Sequence, residues 1–158
     1  MIDEEKAKTL RDEFIKLTGI DCKISLMGNG EYHKPTTLRK DEQGVYVFFN
    51  ENYCFKVGKA GSKSKARWNS HHYNLDNKTP STFAKSIMKN KEKFKQYYPK
   101  SKYEEIDNLK KDNIKQWIRD NTYRIEFKIS ADKSKYALNL LEALLQFRLE
   151  PVFEGKYE

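Results

Sequence analysis

The segment 44–61, GVYVFFNENYCFKVGKAG, limits the possible folds of this chain more than any other part of its sequence. Two runs rich in β-branched and aromatic residues flank the polar tripeptide at 50–52, which is typical of a β-hairpin with a tight turn. A turn centred on Glu51 predicts that Tyr46 faces Lys56, with the phenol and the ammonium about 5 Å apart at Cβ. On the other face this register pairs Val45 with Val57, Val47 with Phe55, and Phe49 with Tyr53.

Periodicity elsewhere in the chain predicts an α+β fold. Apolar residues recur at spacings of three and four in 3–17 and 133–149, which predicts amphipathic helices. The alternation in TYRIEFKIS, 122–130, predicts a half-buried strand, and Gly-Asn-Gly at 28–30 predicts a second hairpin over 22–34. Helices and strands in this mixed order favour α+β packing around one core.

The length of the chain leaves room for a single domain, 1–158. Its first part, 1–40, supplies the N-terminal helix and the hairpin predicted over 22–34. A short helix is predicted over 62–73, and 80–120 is a lysine-rich helical segment that Pro99 divides in two.

The chain is strongly basic: 31 Lys and Arg against 23 Asp and Glu give a net charge of +8, and 85–119 alone contributes +6. This balance indicates a polyanionic partner, most often nucleic acid. No run approaches the roughly 20 apolar residues of a membrane helix. The acidic N-terminus does not resemble a signal peptide, and the two cysteines lack the spacing of a disulfide framework or a zinc site. We therefore expect a cytoplasmic protein with no membrane association.

Two tripeptides of the hairpin predicted over 44–61 begin an ordered set of motifs. Gly44-Val45-Tyr46 and Lys56-Val57-Gly58 place Tyr46 and Lys56 ten residues apart, and Arg67 follows in the next predicted helix. The run LLEALL at 140–145 is followed by Glu150-Pro151. In this order the motifs resemble those of the GIY-YIG nuclease family.

The resemblance implies a small three-stranded antiparallel sheet flanked by helices, built from 44–75 and 122–154, with 80–120 as a basic insertion. Lys56 stands in place of the family's second tyrosine, which resembles a subset of GIY-YIG restriction endonucleases. The family's late asparagine is absent or replaced by Glu154, which could contact the site indirectly.

The resemblance also implies metal-dependent hydrolysis of DNA, expected to be double-stranded, by Tyr46, Lys56, Arg67, His71 and Glu142. Tyr46 would be a general base or would position water, and Lys56 would lower its pKa, hold water or bind phosphate. Arg67 would stabilise the phosphate charge, and His71 would protonate the leaving group or contact phosphate. Glu142 would bind one Mg²⁺ or Mn²⁺.

Each residue has a plainer interpretation. Tyr46 and Lys56 are compatible with ordinary sheet positions, Arg67 with non-specific phosphate binding, and Glu142 with the polar border of an apolar helix face. His72 is turned about 100° from His71 on a helix, so we expect it to pack or to lie at the surface.

The basic residues predict where DNA would lie. The candidate contacts are Lys59, Lys63, Lys65, Tyr73, Lys85, Lys89 and Lys93. The leading hypothesis is a restriction-type endonuclease; the alternatives are a phage or mobile-element nuclease with loose specificity, and a non-catalytic nucleic-acid-binding module. Cleavage of both strands of a palindrome would suit a homodimer, with the helix over 3–17 at its interface or simply closing the core.

Overall fold

The computed structural model describes residues 2–154, which form an α+β fold with one antiparallel sheet. The strands are β1 Lys23–Met27, β2 Glu42–Phe49, β3 Cys54–Ala60 and β4 Tyr123–Ser130. The α-helices are α1 Glu4–Thr18, α2 Lys65–Asn69, α3 Phe83–Lys89, α4 Lys91–Lys95, α5 Tyr103–Asp107, α6 Ile114–Asn121 and α7 Lys135–Leu149. Single 3₁₀ turns span Gly30–Tyr32, His71–Tyr73 and Lys100–Lys102.

The sheet has four strands in the order β1-β4-β2-β3, so the prediction of three strands is wrong. The predicted hairpin over 22–34 is also wrong, because β1 pairs with the distant strand β4. After β1 the chain forms a 3₁₀ turn and a loop, in which His33 bonds to the Thr122 carbonyl and Thr36 to the Glu126 carboxylate. These bonds replace the strand pairing that a hairpin would have supplied.

Strand β4 lies in the interior of the sheet and is buried on both faces. Its apolar side chains Ile125 and Phe127 point to one face, while Arg124 and Glu126 are completely buried on the other. The predicted half-buried strand therefore has the correct position and the wrong environment. The alternation was typical of a solvent-facing polar side, but this side faces a second layer of the core.

Two layers of side chains cover the sheet. The aliphatic layer lies beneath α1 and α7 and includes Leu10, Phe14, Val45, Val47, Val57, Ile125, Leu141 and Leu145. The aromatic layer lies on the opposite face and includes Tyr46, Phe48, Phe55, Trp68, Tyr73, Phe83, Phe94, Trp117 and Phe153. Much of the aromatic layer comes from 80–121, so this lysine-rich segment is part of the core and not an appendage.

The register of the β2–β3 hairpin differs from the predicted one by two residues. Tyr46 faces Gly58, and Lys56 faces Phe48, with a bulge beside Phe48. The extra residue of the bulge is Phe55, which joins the aromatic layer because the bulge changes the alternation of the strand. Tyr46 and Lys56 still share a face, but they are not cross-strand neighbours.

The terminal helices are confirmed, and the short internal helices are corrected. The α1 and α7 helices lie where the spacing predicts them, and Asp3 caps α1 through the Lys6 amide at 2.8 Å. The helix predicted over 62–73 ends at Asn69, and the first helix of the lysine-rich segment breaks at Asn90. Within residues 2–154, no helix has both the length and the apolar character to cross a bilayer.

The helix that the sequence suggested as a dimer interface packs mainly into this domain. Leu10 and Phe14 are buried in the aliphatic layer, whereas Leu17 is 62% exposed. This packing agrees with closing the core, and the homodimer stays a prediction.

Gly44 is required by the contact between the sheet and α2. A Cβ at this position would lie 2.5 Å from the Phe127 carbonyl oxygen and 2.9 Å from the Trp68 ring. We expect Gly44→Ala to lower the free energy of unfolding by about 2 kcal/mol, since a rigid backbone atom must move. Gly61→Ala is the matched control, because a Cβ at Gly61 meets nothing within 4 Å. Urea denaturation that gives both variants equal stability would contradict this account.

Candidate active site

The Tyr46 side chain is at the centre of the candidate site. It projects from β2 into the aromatic layer and lies directly over Gly58 of the neighbouring strand. A Cβ at Gly58 would lie 2.6 Å from the Tyr46 hydroxyl oxygen and 2.7 Å from its ring. The glycine of the second tripeptide thus makes room for the tyrosine of the first.

Arg67 reaches the same tyrosine from α2. Its Nε–H donates a hydrogen bond to the Tyr46 hydroxyl at 3.0 Å. The short helix is held in place by the next residue, Trp68, which is buried and donates from Nε1 to the Thr36 carbonyl at 2.9 Å. Tyr46 and Arg67, which the resemblance assigns to one site, therefore meet although 21 residues separate them, and Arg67 remains partly exposed.

The histidine beside Tyr46 is His72, not His71. Because α2 ends at Asn69, His71 does not continue the face that carries Arg67, and its Nδ1 lies 2.6 Å from the Thr79 hydroxyl. His72 is completely buried, and its Nε2 forms a hydrogen bond with the Tyr46 hydroxyl. The expectation that His72 packs or lies at the surface included its burial as one of two alternatives, but the bond to Tyr46 had no signal in the sequence.

The Tyr46 hydroxyl is protonated at neutral pH. Burial raises its pKa to about 12, although the positive charges of Arg67 and Arg124 oppose this shift. The expectation that Lys56 lowers this pKa depended on a register in which the two side chains face each other, and that register is wrong. In this buried environment the phenol acts as a hydrogen-bonding group, and the role of Tyr46 as a general base stays a prediction.

Lys56 is buried beside the C-terminal segment. Its Nζ donates to the Phe153 carbonyl at 3.2 Å and lies 3.0 Å from a Glu154 carboxylate oxygen. Residues 152 and 153 donate backbone hydrogen bonds to strand β3 at Cys54 and Phe55, which brings Glu154 to this position. Glu154 is thus an ion-pair partner of Lys56.

Glu142 lies on α7, on the other side of the sheet from Tyr46. Its carboxylate is 2.5 Å from the Lys59 ammonium, and both side chains are partly exposed. The predicted catalytic residues therefore form two groups, one of Tyr46, Lys56 and Arg67 at the aromatic layer and one at Glu142, while His71 bonds to Thr79 instead. Each group includes a lysine of the edge strand β3, Lys56 in the first and Lys59 in the second.

Glu142 is compatible with a single magnesium ion. Mg²⁺ keeps several waters and takes only one or two protein carboxylates together with substrate phosphates, and a partly exposed carboxylate provides such a ligand. Among residues 2–154 no three His, Cys, Asp or Glu side chains are grouped as a chelating cluster. In this structure the Lys59 ammonium neutralises the Glu142 charge.

A buried polar network beneath Tyr46 was missed by sequence reasoning. Nη2 of Arg124 lies 3.0 Å from the Glu126 carboxylate, and the guanidinium stacks 5.1 Å from the Tyr46 ring centroid. Glu126 also accepts bonds from the amide and hydroxyl of Thr36. Burial raises the Glu126 pKa despite these partners. The only sequence signal was the Arg-x-Glu alternation in β4, which is common on exposed strand faces.

The predicted DNA contacts divide into exposed and internally bonded side chains. Lys63, Lys65 and Lys89 are exposed. The Lys85 ammonium donates to the Thr79 carbonyl at 2.7 Å, and the Lys93 ammonium donates to the Val152 carbonyl at 3.0 Å. Lys85 and Lys93 therefore hold loops together in the folded protein.

Tyr73 is also internally bonded. It is buried, its hydroxyl lies 2.7 Å from His33 Nε2, and it accepts from Arg124 at 3.3 Å. A phosphate contact by Tyr73 stays a prediction that requires these bonds to open.

Comparison of the chain with models of protein families, with curated proteins and with solved structures found no match. The assignment of a function therefore depends on the residues and the geometry described above.

The stability of the folded protein is expected to be sensitive to acid because of His33, which joins the buried polar network through Tyr73 and Arg124. Burial lowers the pKa of this imidazole from 6.5 to about 4. Below pH 6.5 His33 is therefore protonated in the unfolded chain but stays neutral in the folded protein. Because the unfolded state binds this additional proton, the free energy of unfolding falls by up to about 3 kcal/mol as the pH drops to 4. The lowered pKa of His72 acts in the same direction, and the raised pKa of Glu126 acts in the opposite one.

Urea denaturation between pH 7 and 4 measures this effect. Unfolding of His33→Gln between pH 7 and 4 should take up about one proton fewer than unfolding of the unsubstituted protein. The free energy of unfolding of the variant should therefore depend less on pH, whatever its stability at pH 7. An unchanged pH dependence would show that His33 is protonated normally in the folded protein.

Proposed function

We propose that this protein is a metal-dependent DNA endonuclease of the GIY-YIG type. The observation that carries the proposal is the meeting of the two tripeptides and the arginine at one atom. Tyr46 lies over Gly58, and Arg67 donates to the Tyr46 hydroxyl. A tyrosine that is buried only as part of the core does not require three separate motif positions, Tyr46, Gly58 and Arg67, to converge in this way.

Arg67 is the group best placed to hold a phosphate. Guanidinium groups bind phosphate oxygens through several N–H donors, and a charge near the reacting centre stabilises the additional charge of the transition state. The Nε–H of Arg67 is directed to Tyr46, while its partly exposed side chain leads from that tyrosine towards solvent. In this arrangement Tyr46 positions the attacking water or a phosphate oxygen through its hydroxyl.

Glu142 is the residue that would hold Mg²⁺ or Mn²⁺. The bound cation would supply charge stabilisation for the scissile phosphate and its leaving oxygen, which requires that phosphate to lie at the edge strand β3, where the two faces of the sheet meet. Since Lys59 is the partner of Glu142 here, neutralisation of that carboxylate by a cation would release the lysine for a DNA phosphate. Lys63 and Lys65, in the loop and the helix that follow, would extend the same basic surface towards double-stranded DNA.

A second candidate function is a nucleic-acid-binding module without catalysis. The observation that favours it is the complete burial of Tyr46, because a reacting group must be reached by its substrate. If the protein is a nuclease, DNA binding has to uncover the Tyr46 hydroxyl on the side where Arg67 lies. In the binding module, Tyr46 and Arg67 would only stabilise the fold.

Incubation with long duplex DNA and Mg²⁺ or Mn²⁺ tests the proposal. We expect cleavage that EDTA abolishes, and a loss of at least about 100-fold in rate for Arg67→Leu and Glu142→Gln, because each removes charge stabilisation at the phosphate. Glu104→Gln is the matched control, since this exposed glutamate lies on α5. It should cleave as well as the unsubstituted protein.

The pattern of products separates the alternatives. Discrete fragments indicate a restriction-type enzyme, and a smear indicates a nuclease with loose specificity. Salt-sensitive binding without cleavage of duplex DNA, single-stranded DNA or RNA would refute the nuclease and support the binding module.

A further inference from the structure

His72 is bonded at both ring nitrogens within the aromatic layer. Its ring centroid lies 4.4 Å from that of Tyr46, and its Nε2 forms a hydrogen bond with the Tyr46 hydroxyl. Its Nδ1 accepts from the backbone N–H of Phe83, the first residue of α3, at 3.1 Å. The side chain therefore connects the lysine-rich segment to the candidate catalytic tyrosine.

The Phe83 contact determines where the imidazole carries its proton. A backbone N–H can only donate, so Nδ1 must be without hydrogen, and the neutral ring carries its proton on Nε2. His72 consequently donates to the Tyr46 oxygen.

Burial lowers the pKa of His72, and four positively charged or ionisable groups add to this effect. They are Arg67 from α2, His71 from the same 3₁₀ turn, Lys56 from β3 and Arg124 from β4. The Glu154 carboxylate acts on Tyr46 in the opposite sense to the arginines and raises its pKa. His72 thus remains a neutral donor and is unsuited to carry a proton between substrate and solvent.

The Tyr46 oxygen then receives two hydrogen bonds. Arg67 has no acceptor on its guanidinium, so it too must donate. A neutral phenol oxygen has two acceptor positions, and Arg67 and His72 occupy both of them. The hydroxyl hydrogen is the one group that Tyr46 retains for another partner.

The turn before α3 has unfavourable local features that accompany this contact. Ser81 has a φ of +51°, which is uncommon for a residue with a side chain. The buried Thr82 hydroxyl has no hydrogen-bond partner among the described residues. Such features persist where the surrounding structure requires them, and here they bring the Phe83 N–H to His72.

We propose that His72 is a positioning residue that, with Arg67, occupies both acceptor positions of Tyr46 and leaves its O–H to be donated to the substrate or the attacking water. The role in cleavage rests on the proposed nuclease function. The hydrogen-bond arrangement itself does not depend on that function and can be measured separately.

Long-range ¹H–¹⁵N NMR of the ¹⁵N-histidine-labelled full chain tests the arrangement, because the protein has only three histidines. We expect His72 to be neutral from pH 5 to 8, with its proton on Nε2. His33 provides an internal reference, since its Nδ1 faces the Thr122 carbonyl at 2.8 Å and must carry the proton. Tyr46→Phe should shift the Nε2 signal of His72. A proton on Nδ1 of His72, or its titration near pH 6.5, would overturn the proposal.

Cleavage kinetics test the role of this arrangement. We expect His72→Leu to lower kcat by about 100-fold with little change in KM, since misplacing a reacting group by about 1 Å has an effect of this size. His72→Gln keeps an N–H donor and should recover most of the lost rate. Wild-type kcat in a folded His72→Leu protein would overturn the positioning role. Absence of cleavage by the unsubstituted protein would refute the nuclease function, while the NMR result would still decide the tautomer.

Discussion

The buried pair of Arg124 and Glu126 is the interaction on which the rest of the structure depends. Two charges on the inner strand of the sheet cost several kcal/mol each to remove from water, so neighbouring groups must compensate them. Glu126 accepts from Thr36, the Thr36 carbonyl accepts from Trp68, and Trp68 fixes the helix that carries Arg67. The contact of Arg67 with Tyr46 on β2 therefore depends on the hydrogen bonds that compensate the buried charge of Glu126 on the neighbouring strand β4.

The same face of the sheet joins stability to the candidate chemistry. Arg124 stacks against the rings of Tyr46 and Trp68, which places a fixed positive charge beneath the candidate site. The lysine-rich segment contributes Phe83 and Phe94 to this layer, and through Phe83 it also sets the proton position on His72. A segment that the sequence suggests as a DNA-binding insertion is thus also a structural support of the tyrosine.

Local patterns in the sequence were sufficient for the longest regular elements. Helices α1 and α7 and strand β4 have strong periodicity, and Tyr46 and Arg67, which the resemblance assigns to one site, are in contact. The bulge at Phe55, the pairing of β1 with β4 and the buried environment of Glu126 depend on contacts between distant residues, which periodicity does not report. His72 was missed for the same reason: its partner Tyr46 is 26 residues away, and the helix predicted over 62–73 would have turned it elsewhere.

The most direct test of the account is a crystal structure of Glu142→Gln bound to duplex DNA. We expect a backbone phosphate within hydrogen-bond distance of the Arg67 guanidinium, with the Tyr46 hydroxyl uncovered beside it and His72 still in contact with that hydroxyl. DNA bound to another surface, with Tyr46 still fully buried beneath Arg67, would contradict the claim that this face of the sheet is a catalytic centre.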